Sequence, residues 1–296
     1  MTHGHSLVRL TTSAKAAVVR RSFMRTRKPD TACGLILLAL AMVAATPDVA
    51  LGQGRGAGPG TPRTGALIDL TGQWVSVITE DWRWRMITPP KGDTASVPLN
   101  PAGRKLADAW DLEADRASGN LCKAFGPPGL IRQPGRLRIR WESDSALLLE
   151  FDAGTQTRRL HFGGTGQPGA RTLQGHSEAR WFRQPQNRGI FGRGGPARGG
   201  SLEVVTTNLT AGYLRPNGVP YSEHAVVKEF FDSFTLSDEG TWLIVTTVVA
   251  DPRYLTQEFV LSSQFKKESN TSKWSPRPCD IPPPRVQRRA VTSAPF

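Results

Sequence analysis

The chain has 296 residues, with 38 Lys and Arg against 25 Asp and Glu and a formal net charge of +13. That length allows one core of ordinary size with flanking segments, and that charge suits anionic partners. The longest apolar run has 14 residues, short of the roughly 20 that a membrane-spanning helix needs.

The first segment reads as an export leader. Basic residues are dense before Pro29 (Arg9, Lys15, Arg20, Arg21, Arg25, Arg27 and Lys28), and the apolar run Ala32 to Ala45 follows. A basic flank, a short apolar stretch and then small residues make up a signal peptide, with "ALG" (Ala50 to Gly52) the preferred cleavage site. A leader of residues 1–52 implies a periplasmic or extracellular bacterial protein. "RRSFMR" (Arg20 to Arg25) resembles the twin-arginine export signal, whereas a start at Met24 would leave an ordinary Sec-type leader. Cleavage after Gly52 removes seven basic and two acidic residues and leaves 244 residues with net charge +8. Nucleic acid is then not an expected partner. Cys122 and Cys279 remain, 157 residues apart, in a compartment that permits disulfides. A bridge between them and two free thiols are the alternatives.

Residues 53–65 read as a Gly/Pro/Arg linker. Their alternating glycines lack the strand and helix that a dinucleotide-binding loop requires, and no cofactor is expected. Residues 66–279 read as one β-rich domain and residues 280–296 as a disordered Pro/Arg-rich tail. The first strand is predicted through Gln73 to Thr88. One helix is predicted, with Asn100 as cap, Pro101 in the first turn and Leu106 and Trp110 on one face, running on toward Gly119. Leu137, Ile139 and Trp141 then alternate with Arg136, Arg138 and Arg140, and the turns "ESDS" and "DAGT" divide a three-strand meander ending in "QTRRLHF". The glycine-rich segment 187–200, with Arg188, Arg193 and Arg198, reads as a mobile basic loop. "SLEVVTTN", the Asn217-Gly218 turn, "AVVKEFFDSF", "TWLIVTTVVA" and "TQEFVLSSQF" complete the set. The fold class expected is mainly β: a single antiparallel β-barrel, or a curved sandwich, with one early α-helix.

The stretch "TEDWRWRMITPP" (Thr79 to Pro90) raises the functional question. On an unbroken strand Trp74, Ser76, Ile78, Glu80, Trp82, Trp84 and Met86 share the inward face, with Arg83 and Arg85 outward beside the Arg136/Arg138/Arg140 row. A bulge near Glu80-Asp81 would break that register. "DLTGQWVSV" resembles the G-x-W signature of lipocalins, with Gly72 and Trp74 at the matching positions. The resemblance implies a lipocalin-like barrel in which this Trp packs across the closed end beneath a basic residue of the last strand, here Lys266 or Lys267. The greater length, the early helix and the lack of a helix after the last strand depart from that family. "TGQWVSVITEDWRWRMITPPKGD", "NPAGRKLADAWD", "VVTTNL", "GYLRPNGVPYS" and "DPRYLTQEFV" are similar to segments of a group of exported bacterial proteins, which implies export and a single β-domain but no activity.

Two binding functions are expected. In the first, Trp82, Trp84 and Met86 line a cavity for an apolar or amphipathic small molecule, oriented by Glu80 or Tyr213, with Arg215 and Tyr221 at the barrel mouth. The plain alternative is that these side chains fill the core, each large apolar group contributing roughly 1.5–3 kcal/mol. In the second, the arginine row and the Arg-Gly loop contact an anionic envelope component such as phospholipid or lipopolysaccharide, or a protein. Here the plain alternative pairs the arginines across strands with Glu142, Glu150 or Asp152. An enzyme has little support. No G-x-S-x-G elbow appears, neither mature cysteine has an activating motif, and His161, His176 and His224 lack metal-ligand spacing. Glu223-His224 and Glu229/Asp232 are the only acid–base candidates.

Overall fold

Alternation of apolar and polar side chains builds most of this molecule. The computed structural model describes residues 60–164, 166–183 and 199–284, all within one unit spanning Arg55–Phe296. The segment expected to be an export leader, the Arg-Gly segment with Arg188, Arg193 and Arg198, and residues 285–296 lie outside the described residues.

Eleven strands are described: β1 (Gly72–Val77), β2 (Arg136–Ser143), β3 (Ala146–Phe151), β4 (Gln156–Phe162), β5 (His176–Phe182), β6 (Ser201–Thr207), β7 (Gly212–Arg215), β8 (Val219–Tyr221), β9 (Val226–Leu236), β10 (Gly240–Ala250) and β11 (Phe259–Glu268). Nine of them close a barrel in the order β1-β11-β10-β9-β6-β5-β4-β3-β2, and β7–β8 form a separate hairpin. The meander is β2–β3–β4, antiparallel throughout. In β2, Leu137 and Ile139 face inward and Arg140 faces solvent, as the period of two dictates.

Three expectations are corrected. The barrel is mixed, because β4 and β5 run parallel through Leu160↔Ser177, His161↔Glu178 and Phe162↔Ala179. Strand β5 carried a weak signal, since its inward positions Ser177 and Ala179 are small. The single helix is four short ones: α1 (Trp82–Arg85), α2 (Pro101–Ala109), α3 (Leu112–Ala117) and α4 (Pro127–Leu130), with a 3-10 turn at Asn120–Phe125 and another at Ala153–Thr155. Asn100 does cap α2, accepting from Gly103 N at 2.9 Å. The helix stops because Trp110 turns extended and Asp111 starts α3, accepting from Glu113 N and Ala114 N. Leu106 is 44% exposed, and α2 instead buries Gly103 and Ala107. Third, the strand predicted to Thr88 ends at Val77. Asp81 takes the left-handed conformation (φ 52°), and its carbonyl accepts from Trp84 N and Arg85 N, which winds one helical turn.

Trp74 is fully buried, donates from Nε1 to Leu70 O at 2.9 Å, and lies beneath Lys267 Nζ, 5.3 Å from its ring centroid. Gly72 allows this contact: its φ is +119°, and a Cβ there would meet Lys267 Cε at 2.9 Å. Residues 60–70, including part of the expected linker, cover this end. Pro62 O accepts from Trp181 Nε1 at 2.7 Å, and Arg63 N donates to Asp144 O. At the opposite rim the short helices and the β7–β8 hairpin pack against the barrel, and Gly218 supplies positive φ in the hairpin turn. Between the ends the inward side chains fall into two apolar clusters. A polar belt separates them: Glu229 lies between Val227 and Phe231 on β9, Thr247 between Val245 and Val249 on β10, and Ser263 between Leu261 and Phe265 on β11.

Cys122 and Cys279 form a disulfide with a Cα–Cα distance of 5.1 Å. It ties the C-terminal strap to the first 3-10 turn, and the strap stays packed past residue 279, with Ile281 buried in the core. Closing a loop of 157 residues removes chain entropy equivalent to about 4–5 kcal/mol from the unfolded state. Urea unfolding of the Cys122→Ser/Cys279→Ser variant is expected to show a loss approaching that value; a loss below about 1 kcal/mol would mean the strap adds little to global stability.

Candidate functional site at the arginine-lined rim

The one-turn helix α1 gives the tryptophan stripe its actual geometry. Helical spacing sends Trp82 outward (63% exposed) and buries the Arg85 side chain completely. Arg85 donates from Nε to Arg132 O at 3.0 Å and from Nη1 to Glu80 Oε1 at 2.5 Å. Arg132, just after α4, donates from Nη2 to Asp81 Oδ2 at 2.7 Å. Arg215, at the end of β7, is buried and lies 4.4 Å over the Trp84 ring, which Arg83 also approaches at 4.7 Å. Trp84 Nε1 donates to Asp93 Oδ2, which also accepts from Arg83.

Four guanidiniums therefore meet three carboxylates, Glu80, Asp81 and Asp93. Burial, and then the like charge of Arg132, depress both Arg85 and Arg215 to about 10. Burial also lowers Arg132, against the pull of Asp81. Arg85 Nη2 and Arg215 Nη1 are buried without a hydrogen-bond partner. Unpaired buried guanidinium N–H groups with surplus positive charge are suited to an anion.

The backbone after Arg85 borders a cleft of about 540 Å³ at this rim, whose lining includes Met86, Ile281, Arg136, Arg277, Asp152 and Asp280. The C-terminal strap forms one wall, anchored by Arg277 N to Asp152 O at 2.8 Å and by the disulfide. Burial raises the Asp152 carboxyl, although the Arg136 amide and the charges of Arg136 and Arg277 oppose it. The cleft thus carries apolar surface beside guanidiniums.

The structure brings Glu80, Trp84 and Arg215 together and sets Met86, 55% exposed, on the adjoining cleft. Trp82, Trp84 and Met86 do not line the barrel interior. Tyr213 and Tyr221 stand apart. Tyr213 OH donates to Asp115 Oδ2 at 2.9 Å, and burial together with that contact pushes it up. Tyr221 is fully buried, which also raises it. The tryptophans that do meet the main core cluster are Trp74, Trp110, Trp141 and Trp181. Trp141 and Trp181 flank Phe162 at centroid distances of 5.5 and 5.7 Å, forming an aromatic cluster at the end covered by residues 60–70. The arginine row pairs with its neighbours: Arg136 with Glu268, Arg138 with Gln73 and the Trp274 ring, and Arg140 with Glu150, while Arg159 pairs with Glu142. Sequence reading missed Arg132 and Arg277. An arginine ending the otherwise apolar "PPGLIR" was the available signal for Arg132.

Among the described residues no group of three His, Cys, Asp or Glu side chains is placed to hold a metal ion, and no helix is long and apolar enough to cross a membrane. No family model, no curated protein and no solved structure matches the chain.

The rim electrostatics give a contrast that chemical denaturation can read. Asp81→Asn leaves Arg132 buried without its carboxylate and is expected to destabilise by about 2 kcal/mol, less than for a fully buried pair because Asp81 is partly exposed. Arg215→Met loses the Trp84 contact and the attraction of Asp81 and Asp93 but relieves repulsion with Arg132 and Arg83, so stability is expected to change by less than about 1 kcal/mol at low salt. Equal losses in both variants would contradict the surplus of positive charge.

Proposed function

We propose that this protein is an exported binding protein for an amphipathic anion, held in the rim cleft. The observation that carries this reading is the union, in one cleft of about 540 Å³, of Met86, Ile87 and Ile281 with the exposed Arg277 and with Arg136, which Glu268 already pairs, beside Asp152 and Asp280. An acyl or aromatic body lies against the apolar wall, and a carboxylate or phosphate head takes the exposed Arg277 guanidinium, with the buried charge of Arg85, Arg132 and Arg215 behind it. The reading keeps the amphipathic ligand expected from the sequence and moves it from the barrel interior to the rim. The interior offers less support, because its inward positions carry two packed apolar clusters. The alternative, a basic face docking on an anionic envelope component, also has less behind it, since Arg136 and Arg140 of the arginine row are paired with Glu268 and Glu150 and Arg138 is engaged by Gln73 and the Trp274 ring.

Titration of the full chain with lauric acid, followed by tryptophan fluorescence, is expected to show saturable binding. Dodecyl maltoside, with the same tail length and a neutral head, is expected to bind at least about tenfold more weakly, a difference of about 1.4 kcal/mol. Arg277→Ala, at an exposed position of the strap, is expected to reduce lauric acid affinity severalfold without changing stability. Equal binding of the two amphiphiles, or no binding of either, would overturn the proposal.

A further inference from the structure

Strands β4 and β5 pair only through Leu160–Phe162, so the first half of β4 has β3 on one side and no strand on the other. A parallel neighbour requires the chain to cross back, and residues 172–175 return across the gap. They are held by Thr172 N to Asn208 O at 3.3 Å and Thr210 N to Thr172 O at 2.8 Å. The result is a wedge of about 370 Å³ whose lining includes Arg158, Arg159, His161, Gln174, His176 and Ser177. Arg158 and Ser177 border it from the inner face of the wall and Arg159 and His161 from the outer face, and among the described residues its lining contains no carboxylate.

The wedge is also the place where buried polar atoms go unpaired. Arg158 binds Glu229 through Nη1 at 3.0 Å and Nη2 at 2.5 Å, and its Nε has no partner. His176 is buried with Nε2 lacking a hydrogen bond, its nearest charge being Glu178 at 3.6 Å. Gln174 Nε2 donates to Phe125 O at 2.8 Å and Gln156 Oε1 at 2.9 Å; both are acceptors, so the amide orientation is fixed and its Oε1 is left unsatisfied. Three unpaired atoms of different kinds around one opening call for a ligand that both accepts and donates.

We propose that this wedge is a binding site for hydrogen phosphate or a phosphomonoester. The oxygens of hydrogen phosphate accept from Arg158 Nε and from His176 Nε2 in its protonated form, and its P–OH donates to Gln174 Oε1; a phosphomonoester supplies that P–OH only as its monoanion, below a pH of about 6. Sulfate carries the same kind of acceptors but no donor at neutral pH, so it leaves Gln174 unpaired. The stacked imidazoles of His161 and His176, 5.4 Å apart, sense the occupant. In the empty wedge, burial and then the charges of His176 and Arg159 lower His161, while Glu142 acts weakly in the opposite direction. An anion beside the two rings stabilises the imidazolium and raises His161, so binding takes up a proton and weakens as pH rises. This site is independent of the rim cleft.

The test follows the histidine ring resonances of the full chain by NMR during titration with inorganic phosphate, glycerol phosphate and sulfate at matched ionic strength. Phosphate is expected to shift His161 and His176 saturably, with an affinity at least about tenfold above that for sulfate, and to raise the His161 pKa. A response to inorganic phosphate alone identifies the free ion as the ligand; a stronger response to glycerol phosphate identifies a phosphomonoester. His161→Phe, which keeps an aromatic ring on the wedge and leaves the Arg158–Glu229 pair in place, is expected to fold normally and bind severalfold more weakly. Arg277→Ala at the rim is expected to leave phosphate binding unchanged. Equal responses to sulfate and phosphate, no shift at the two rings, or unaltered affinity in both His161→Phe and His176→Ala would overturn the proposal.

Discussion

The Arg158–Glu229 ion pair is the constraint around which the barrel is arranged. Both side chains are almost completely buried, and desolvating two charges costs several kcal/mol each unless the geometry is bidentate and the remaining polar atoms find partners. The pair meets the first condition and part of the second: Thr206 accepts from Arg158 Nη2 and Ser177 Oγ is hydrogen-bonded to Thr206 Oγ1 at 2.8 Å, while Arg158 Nε is left without a partner. These contacts connect β4, β5, β6 and β9, including strands that have no ladder between them. A one-residue slip of any of them would put a charge into an apolar layer, so the pair also fixes register.

This belt explains why the sites lie at the periphery. Above and below it the inward side chains form two packed layers, with Trp74 filling one end and Val227, Val249 and Tyr221 the other. What lies open are the places where the barrel wall is interrupted. One is the rim, where α1 follows β1 and the C-terminal strap crosses β3; the other is the wedge, where the parallel step separates β4 from β5. In both, arginine side chains are buried more thoroughly than their hydrogen-bond partners can satisfy. Such groups lower stability in the free protein and favour anion binding, a trade common where a fold carries a ligand.

The disulfide and the strap serve the rim in the same way. Without the covalent tie, Arg277 and Ile281 would be anchored to the barrel by a few backbone hydrogen bonds and one buried side chain. The tie keeps one wall of the cleft opposite Met86 and Arg85, and this reduces the entropy that a ligand would otherwise have to spend in ordering it.

Much of this architecture was legible in the sequence because strand alternation is a local property. Leu137–Trp141, Leu147–Phe151 and the long strands β9 to β11 each carry their inward face in a period of two, and Asn100-Pro101 carries a helix start. Gly72 and Trp74 announced a close contact at the barrel end, where Lys267 is found. The alternating WRWR stretch misled because the same four residues suit a strand or one helical turn. Asp81 in the left-handed region, with its carbonyl accepting from Trp84 and Arg85, decided for the helix. The parallel step was hidden because β5 places small side chains, Ser177 and Ala179, at the inward positions of the parallel pairing. The sites were hidden because their members are far apart in the chain: Arg85, Arg132 and Arg215 at the rim, Arg158, Gln174 and His176 at the wedge. The sequence by itself determined which residues alternate, where turns fall and which cysteines were available to pair. Only the tertiary structure decided which charges meet in the interior, since burial and pairing energies depend on distances that closure of the barrel sets.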